Sequence, residues 1–204
     1  MSAAALPPTD RLRIVILGLS ITSSWGNGHA TTYRGLALCR RGRQVLFLER
    51  DAPWYRDTRD LPQPPFGTTR LYNSVTELRE RWSGALRDAD LAIVGSYVPD
   101  GIAVAELVLR TAGGLIAFYD IDTPVTLAAL AAERCEYLTP KLIPGFDLYL
   151  SFTGGPLLRR IEDEFGARAA RALYCSVDPD CHRPAAVPPE WDLGYLGTYR
   201  PTGS

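Results

Sequence analysis

The chain has 204 residues, 46% hydrophobic and 22% charged, with a formal net charge of -1. That is enough apolar chain for a buried core, as one domain or one domain plus a fragment, and with the charge near zero no basic field suggests nucleic acid or anionic membrane. No apolar run approaches the ~20 residues of a bilayer span, and Ser2 to Thr9 has neither the charged start nor the apolar core of an export signal, so the sequence predicts a cytoplasmic protein with no transmembrane segment. Of its 22 basic residues only Lys141 is lysine, an Arg bias spread along the chain. Cys39, Cys135, Cys175 and Cys181 show no C-x-x-C spacing and read as reduced thiols.

Residues 1–11 read as a disordered N-terminus. Arg13-Ile14-Val15-Ile16-Leu17-Gly18 is a β-branched run suited to a strand buried on both faces. A glycine-broken loop follows, then a helix predicted over 30–41 with Gly42 at its end, then a second buried strand over 44–49. Two parallel strands joined by a helix make a βαβ unit, whose crossover is right-handed. Residues 50–66 form a Pro- and aromatic-rich connection, long enough to predict function or mobility. Strands then follow over 68–72, 90–95, 115–119, 146–152 and 171–175, with helices over 75–86, 102–111, 125–133 and 157–165. This alternation predicts an α/β fold, a doubly wound, Rossmann-like parallel sheet over 12–176. Residues 177–190, with Pro179, Pro184, Pro188 and Pro189, read as an interdomain linker. Residues 191–204 open with a strand and a glycine turn, which we read as the start of a truncated second α/β domain.

Open parallel sheets bind ligands outside the carboxyl ends of their strands, so candidate chemistry is sought there. In Trp25-Gly26-Asn27-Gly28-His29 the pair Gly26 and Gly28 could open a dinucleotide fingerprint, with Glu49 placed as the ribose-binding acid. Thr31 stands where the third glycine belongs, and the glycines lie well past the strand end. The other readings are glycines that only let the loop fold back, or a loop lining a polar ligand site at a helix N-terminus. His29 is one of two histidines. It is either structural or a general base whose pKa the helix N-terminus lowers, with Asp120 or Asp122 as the acceptor for its second N–H. Asp122 is also a candidate helix cap before Pro124, and Asp120-Ile121-Asp122 a short D-x-D metal pattern. Tyr97 could wall a pocket, and Thr153, Gly154 and Gly155 could present backbone N–H groups to oxygens of a ligand. Asp178, Asp180, Cys181 and His182 lack metal-ligand spacing.

Ser176-Val177-Asp178-Pro179-Asp180-Cys181-His182-Arg183-Pro184 resembles the G-V-D-x-x-x-F-x-P hinge between the two lobes of GT-B glycosyltransferases, with Ser176 for the glycine and His182 for the aromatic. With Trp25 to His29, Phe118-Tyr119-Asp120-Ile121-Asp122-Thr123-Pro124, Leu148 to Pro156 and Leu193 to Tyr199, the chain resembles the CgeB-like group of that fold. The resemblance implies the acceptor-side half of an enzyme that moves a sugar from a nucleotide-sugar donor to a hydroxyl acceptor. It implies no metal and no other cofactor, and a missing C-terminal donor domain without which this half is inactive. His29 would be the base and Asp120 its partner, with Trp25, Gly26, Asn27, Gly28, Tyr97, Asp122, Thr153, Gly154 and Gly155 lining the cleft. The rival readings are an NAD(P)-dependent oxidoreductase domain and a non-catalytic binding module.

Overall fold

The computed structural model describes residues 12–36, 43–65, 67–179, 182–184, 187–188 and 190–194. Strands β1 (Arg13–Gly18), β2 (Gln44–Arg50), β3 (Thr68–Tyr72), β4 (Leu91–Gly95), β5 (Leu115–Asp120), β6 (Leu148–Ser151) and β7 (Ala170–Ala172) form one sheet in the order β3-β2-β1-β4-β5-β6-β7. Every neighbouring pair is parallel. Helices α1 (His29–Leu36), α2 (Pro53–Arg56), α3 (Val75–Asp88), α4 (Gly101–Thr111), α5 (Thr123–Ala131) and α6 (Pro156–Phe165) connect them. This is a Rossmann-like α/β fold whose strand order reverses between β1 and β4.

Alternation along β1 splits the core in two. Ile14 and Ile16 pack with Tyr33 of α1 and Phe47 on one face. Val15 and Leu17 pack on the other with Leu78 and Leu86 of α3 and Val104 and Val108 of α4. Both faces are apolar because both are covered, which is why the strands read as continuous hydrophobic runs. At the reversal point Gly18 and Gly95 leave room for the Tyr33 ring, since a Cβ on either would collide with it.

The observed ends differ from the expected ones where local chemistry intervenes. Helix α5 starts at Thr123, taking Pro124 into its first turn, where a missing N–H costs nothing. Strand β7 stops at Ala172 because its partner β6 stops at Ser151, whose carbonyl accepts the last ladder bond from Leu173 N–H at 2.7 Å. Residues 173–177, expected partly as strand, therefore leave the sheet. The connection 51–65 holds the short α2 and is laced to the loop 19–28. Leu61 N–H donates to the Thr22 carbonyl (3.0 Å) and Ser23 Oγ to the Thr58 carbonyl (2.7 Å). Residues 191–194 carry no strand, and the rest of the expected strand, like residues 1–11, lies outside the described residues. Among the described residues no helix is long and apolar enough to cross a membrane.

Candidate functional site

All strands point the same way, so the loops 19–28, 96–100, 121–122, 152–155 and 173–177 gather on one edge. His29 opens α1 there and is 6% exposed. Asn27 sets the start of the helix, its Oδ1 accepting from Ala30 N–H at 3.2 Å, while its amide reaches the Tyr55 hydroxyl at 3.2 Å. The imidazole meets the Tyr97 ring edge-on, with centroids 5.4 Å apart at 87°. Its Nδ1 has no hydrogen-bond partner. The Tyr33 and Tyr97 rings pack against the imidazole, and no acceptor holds its Nδ1. Burial holds the His29 pKa below its usual 6.5, and the negative charge of Asp122 opposes that shift.

Tyr97 follows β4 in the left-handed region at φ 62°. For a bulky residue this costs about 1–3 kcal/mol and persists only where the surroundings enforce it. Here its ring lies 4.6 Å from that of Tyr137, and its hydroxyl interacts with Tyr137 and Asp122. Burial raises its pKa.

Two carboxylates leave β5 with different surroundings. Asp120 is fully buried and accepts from Tyr149 Oη (2.6 Å), Thr126 Oγ1 (2.7 Å) and Asp122 N–H (3.1 Å). Burial pushes its pKa up against the pull of those bonds. These three bonds occupy both of its oxygens and none of them reaches His29; they pin the turn that carries Asp122. Asp122 takes the cap position of α5, but its side chain makes no capping bond and is half-buried at the edge of a cavity.

That cavity, of about 520 Å³, lies between the first turn of α1, the turn after β5, Phe152 and residues 175–177. It brings together Gly28, His29 and Asp122 of the expected residues, with Tyr97 behind His29. Trp25 is exposed and Gly26, at φ 65°, has open space around it; neither is a cavity wall. Thr153, Gly154 and Gly155 shape the turn into α6 but do not line the cavity, to which Phe152 contributes instead. Thr153 N–H is taken by Ser151 Oγ at 3.0 Å, and Gly155 adopts φ 75°, ψ -150°, a conformation only glycine tolerates.

The walls that sequence reasoning did not find are Thr31, Thr32, Ile121, Phe152, Cys175, Ser176 and Val177. The first two lie three residues after the walls Gly28 and His29, one helical turn on. Residues 175–177 reach the cavity because β7 ends early, and Gly35 lets them approach α1, since a Cβ there would meet the Ser176 and Val177 backbone.

Glu49, the candidate ribose acid, is buried and committed. It accepts from Ile21 N–H (2.7 Å), Thr22 N–H (3.0 Å), Thr22 Oγ1 (2.6 Å) and Ser20 Oγ (3.3 Å). Gly28 has nothing near a notional Cβ, so neither fingerprint glycine marks a close backbone approach. These residues are not arranged as a dinucleotide fingerprint needs. Among the described residues no three His, Cys, Asp or Glu side chains cluster as metal ligands; Asp180 and Cys181 lie outside the described residues.

No family model matches the chain, and no curated protein matches its sequence. Among solved structures it is similar to a UDP-glucose: anthocyanidin 3-O-glucosyltransferase in complex with UDP, at 8% identity and TM-score 0.50, over 86% of this chain and 56% of that one. The chain thus spans about half the length of that neighbour. It is also similar to BdcA (YjgI) from E. coli at 14% identity and TM-score 0.42, over 80% and 98% of the two chains. A third is the C-terminal domain of the coenzyme A biosynthesis bifunctional protein CoaBC, at 11% and 0.34, over 61% and 71%. At these identities the likeness bears on the fold alone, and the latter two are too distant to carry any argument.

Proposed function

We propose that this chain is the acceptor-side half of a two-lobed GT-B glycosyltransferase of the CgeB-like group, which moves a sugar from a nucleotide-sugar donor to a hydroxyl. The observation that carries the reading is the buried imidazole of His29, which shares a cavity with the Asp122 carboxylate on the ligand-binding edge of the sheet and whose pKa burial lowers. In support, the glucosyltransferase neighbour has this fold, is described with UDP and is about twice the length of its match here.

In this mechanism the acceptor hydroxyl sits in the cavity and attacks the anomeric carbon of the donor. Its proton passes to His29 as the bond from sugar to diphosphate breaks and the nucleoside diphosphate leaves with the electron pair. Burial keeps the imidazole neutral and able to accept; the Asp122 charge stabilises the imidazolium that forms. Asp120 touches neither group of that pair and positions Asp122 through its amide. A second lobe, joined through 177–190, supplies donor binding and the electrostatic stabilisation of the leaving group. The exposed Trp25, Trp54, Val125 and Tyr174 on this edge give that lobe apolar surface to cover.

In the enzyme carrying both lobes, His29→Ala is expected to lower kcat by about 10²–10⁴-fold. A loss under about tenfold removes the base from the mechanism. The present chain is expected to transfer no sugar by itself, and measurable transfer would overturn the two-lobe reading.

A further inference from the structure

We infer that the cavity beside His29 selects an uncharged ligand, a hydroxyl on an apolar or planar body, and turns anions away. The inference rests on the reading of this cavity as the acceptor site and adds the chemical class it takes.

Charge is the first argument. Among the described residues lining the cavity Asp122 is the only formally charged one, and no Arg or Lys is among them. Three arginines near the same edge are already paired. Arg34 holds Asp60 through two nitrogens (2.9 and 3.2 Å) and donates to the Ile21 carbonyl. Arg50 holds Asp100 and Arg59 holds Asp51, each at 2.8 Å. The α1 N-terminus, where doubly wound folds often seat a diphosphate, has its Ala30 amide taken by Asn27. A phosphate or carboxylate entering here would face a carboxylate with no cation to offset it.

The walls are the second argument. Ile121, Phe152, Val177 and the Cys175 side chain give an apolar surface, and about 520 Å³ is the size of a small-ligand site. Against it stand the polar walls Thr31, Thr32, His29 and Asp122. A ligand hydroxyl, donor and acceptor at once, suits a carboxylate and an imidazole that share one cavity.

The test uses the full 204-residue chain, which has two histidines and therefore a simple imidazole NMR spectrum. His182→Gln assigns the remaining resonance to His29. The chain is titrated near neutral pH with 2-naphthol, 2-naphthyl phosphate and 2-naphthoate, which share one body and differ in charge. The expected result is a saturable shift of the His29 resonance with 2-naphthol, and half-saturation by either anion only at about tenfold or higher concentration. Asp122→Asn is expected to narrow that gap. Val177→Arg, on a half-exposed wall, is expected to reverse it, and this second variant covers the case in which Asp122→Asn does not fold. An anion that saturates at equal or lower concentration overturns the inference, as does a His29 resonance that no probe moves. Because binding alone is read, a chain that prefers 2-naphthol while its two-lobed parent transfers no sugar would sink the functional reading and leave this inference standing.

Discussion

Glu49 and Asp122 sit on the same edge of the same sheet and are used in opposite ways. Around Glu49 the edge is closed: four donors converge on one buried carboxylate, and Arg59 and Leu61 tie the neighbouring connection to Thr22. Around Asp122 the edge is open: its side chain makes no capping bond and meets the Tyr97 hydroxyl at the rim of a cavity, and His29 Nδ1 and Ser176 Oγ are unpartnered. An acidic residue at a strand end therefore says little until its hydrogen bonds are counted. A carboxylate that satisfies its own loop is scaffold; one that leaves its loop unsatisfied and faces a cavity is available to a ligand.

The comparison can be broken first at its closed end. Glu49→Ala strands two backbone N–H groups and two hydroxyls in the interior, and is expected to cost about 3–5 kcal/mol in urea unfolding. A cost under about 1 kcal/mol would show that this half of the edge is not held by Glu49.

Asp120 comes next. Asp120→Ala is expected to cost about 2–4 kcal/mol by leaving Tyr149, Thr126 and the Asp122 amide without an acceptor. Asp120→Asn should cost less, because the amide oxygen still accepts and no charge is buried. Since the folded pKa of Asp120 lies above the unfolded 3.8, the stability tied to its protonated form is present below that pH and is lost as pH rises through the folded value. The deficit of Asp120→Asn relative to the parent chain should therefore shrink as pH rises.

The smallest effects belong to the open end. His29 is held below 6.5, so stability is undiminished above that pH and falls as pH drops from 6.5 through the folded value. His29→Gln should flatten that fall in thermal melts. Asp122→Asn is expected to change stability by less than about 0.5 kcal/mol while lowering the His29 pKa further, read by NMR titration. A rise in that pKa would mean that the two groups do not face each other.

Much of the architecture was legible in the residues. The β-branched runs at Ile14 and Ile93, the helical stripe of Leu78 and Leu86, and the alternation of the two kinds of segment point to a parallel sheet with helices on both faces, because burial imposes a period. Strand β3 and the start of α3 fall where expected. That His29 and Asp122 come to the same edge was also legible, because parallel strands send all their following loops there. The residues left Asp120 and Asp122 both open as the partner of His29, and the family resemblance pointed to Asp120; the hydrogen bonds of Asp120 go to Tyr149, Thr126 and the Asp122 amide, and the charge acting on His29 is that of Asp122. Nothing in a D-x-D triplet tells which carboxylate turns inward, since that depends on whether a Tyr 29 positions later supplies a hydroxyl.

Element order, the sheet and the edge on which a ligand would bind follow from the residues read along the chain, because hydrophobic period and chain direction are local properties read off a window of residues. Which polar groups on that edge are already spent emerges only in the folded molecule. Glu49, Asp120 and Asn27 are consumed by partners far off in sequence or by a turn whose shape no window reveals, while His29, Asp122 and Ser176 are left at a cavity that exists because one strand ends early and Gly35 admits the backbone beside it. Hydrogen-bond satisfaction is a property of the folded neighbourhood, so availability for chemistry is settled there.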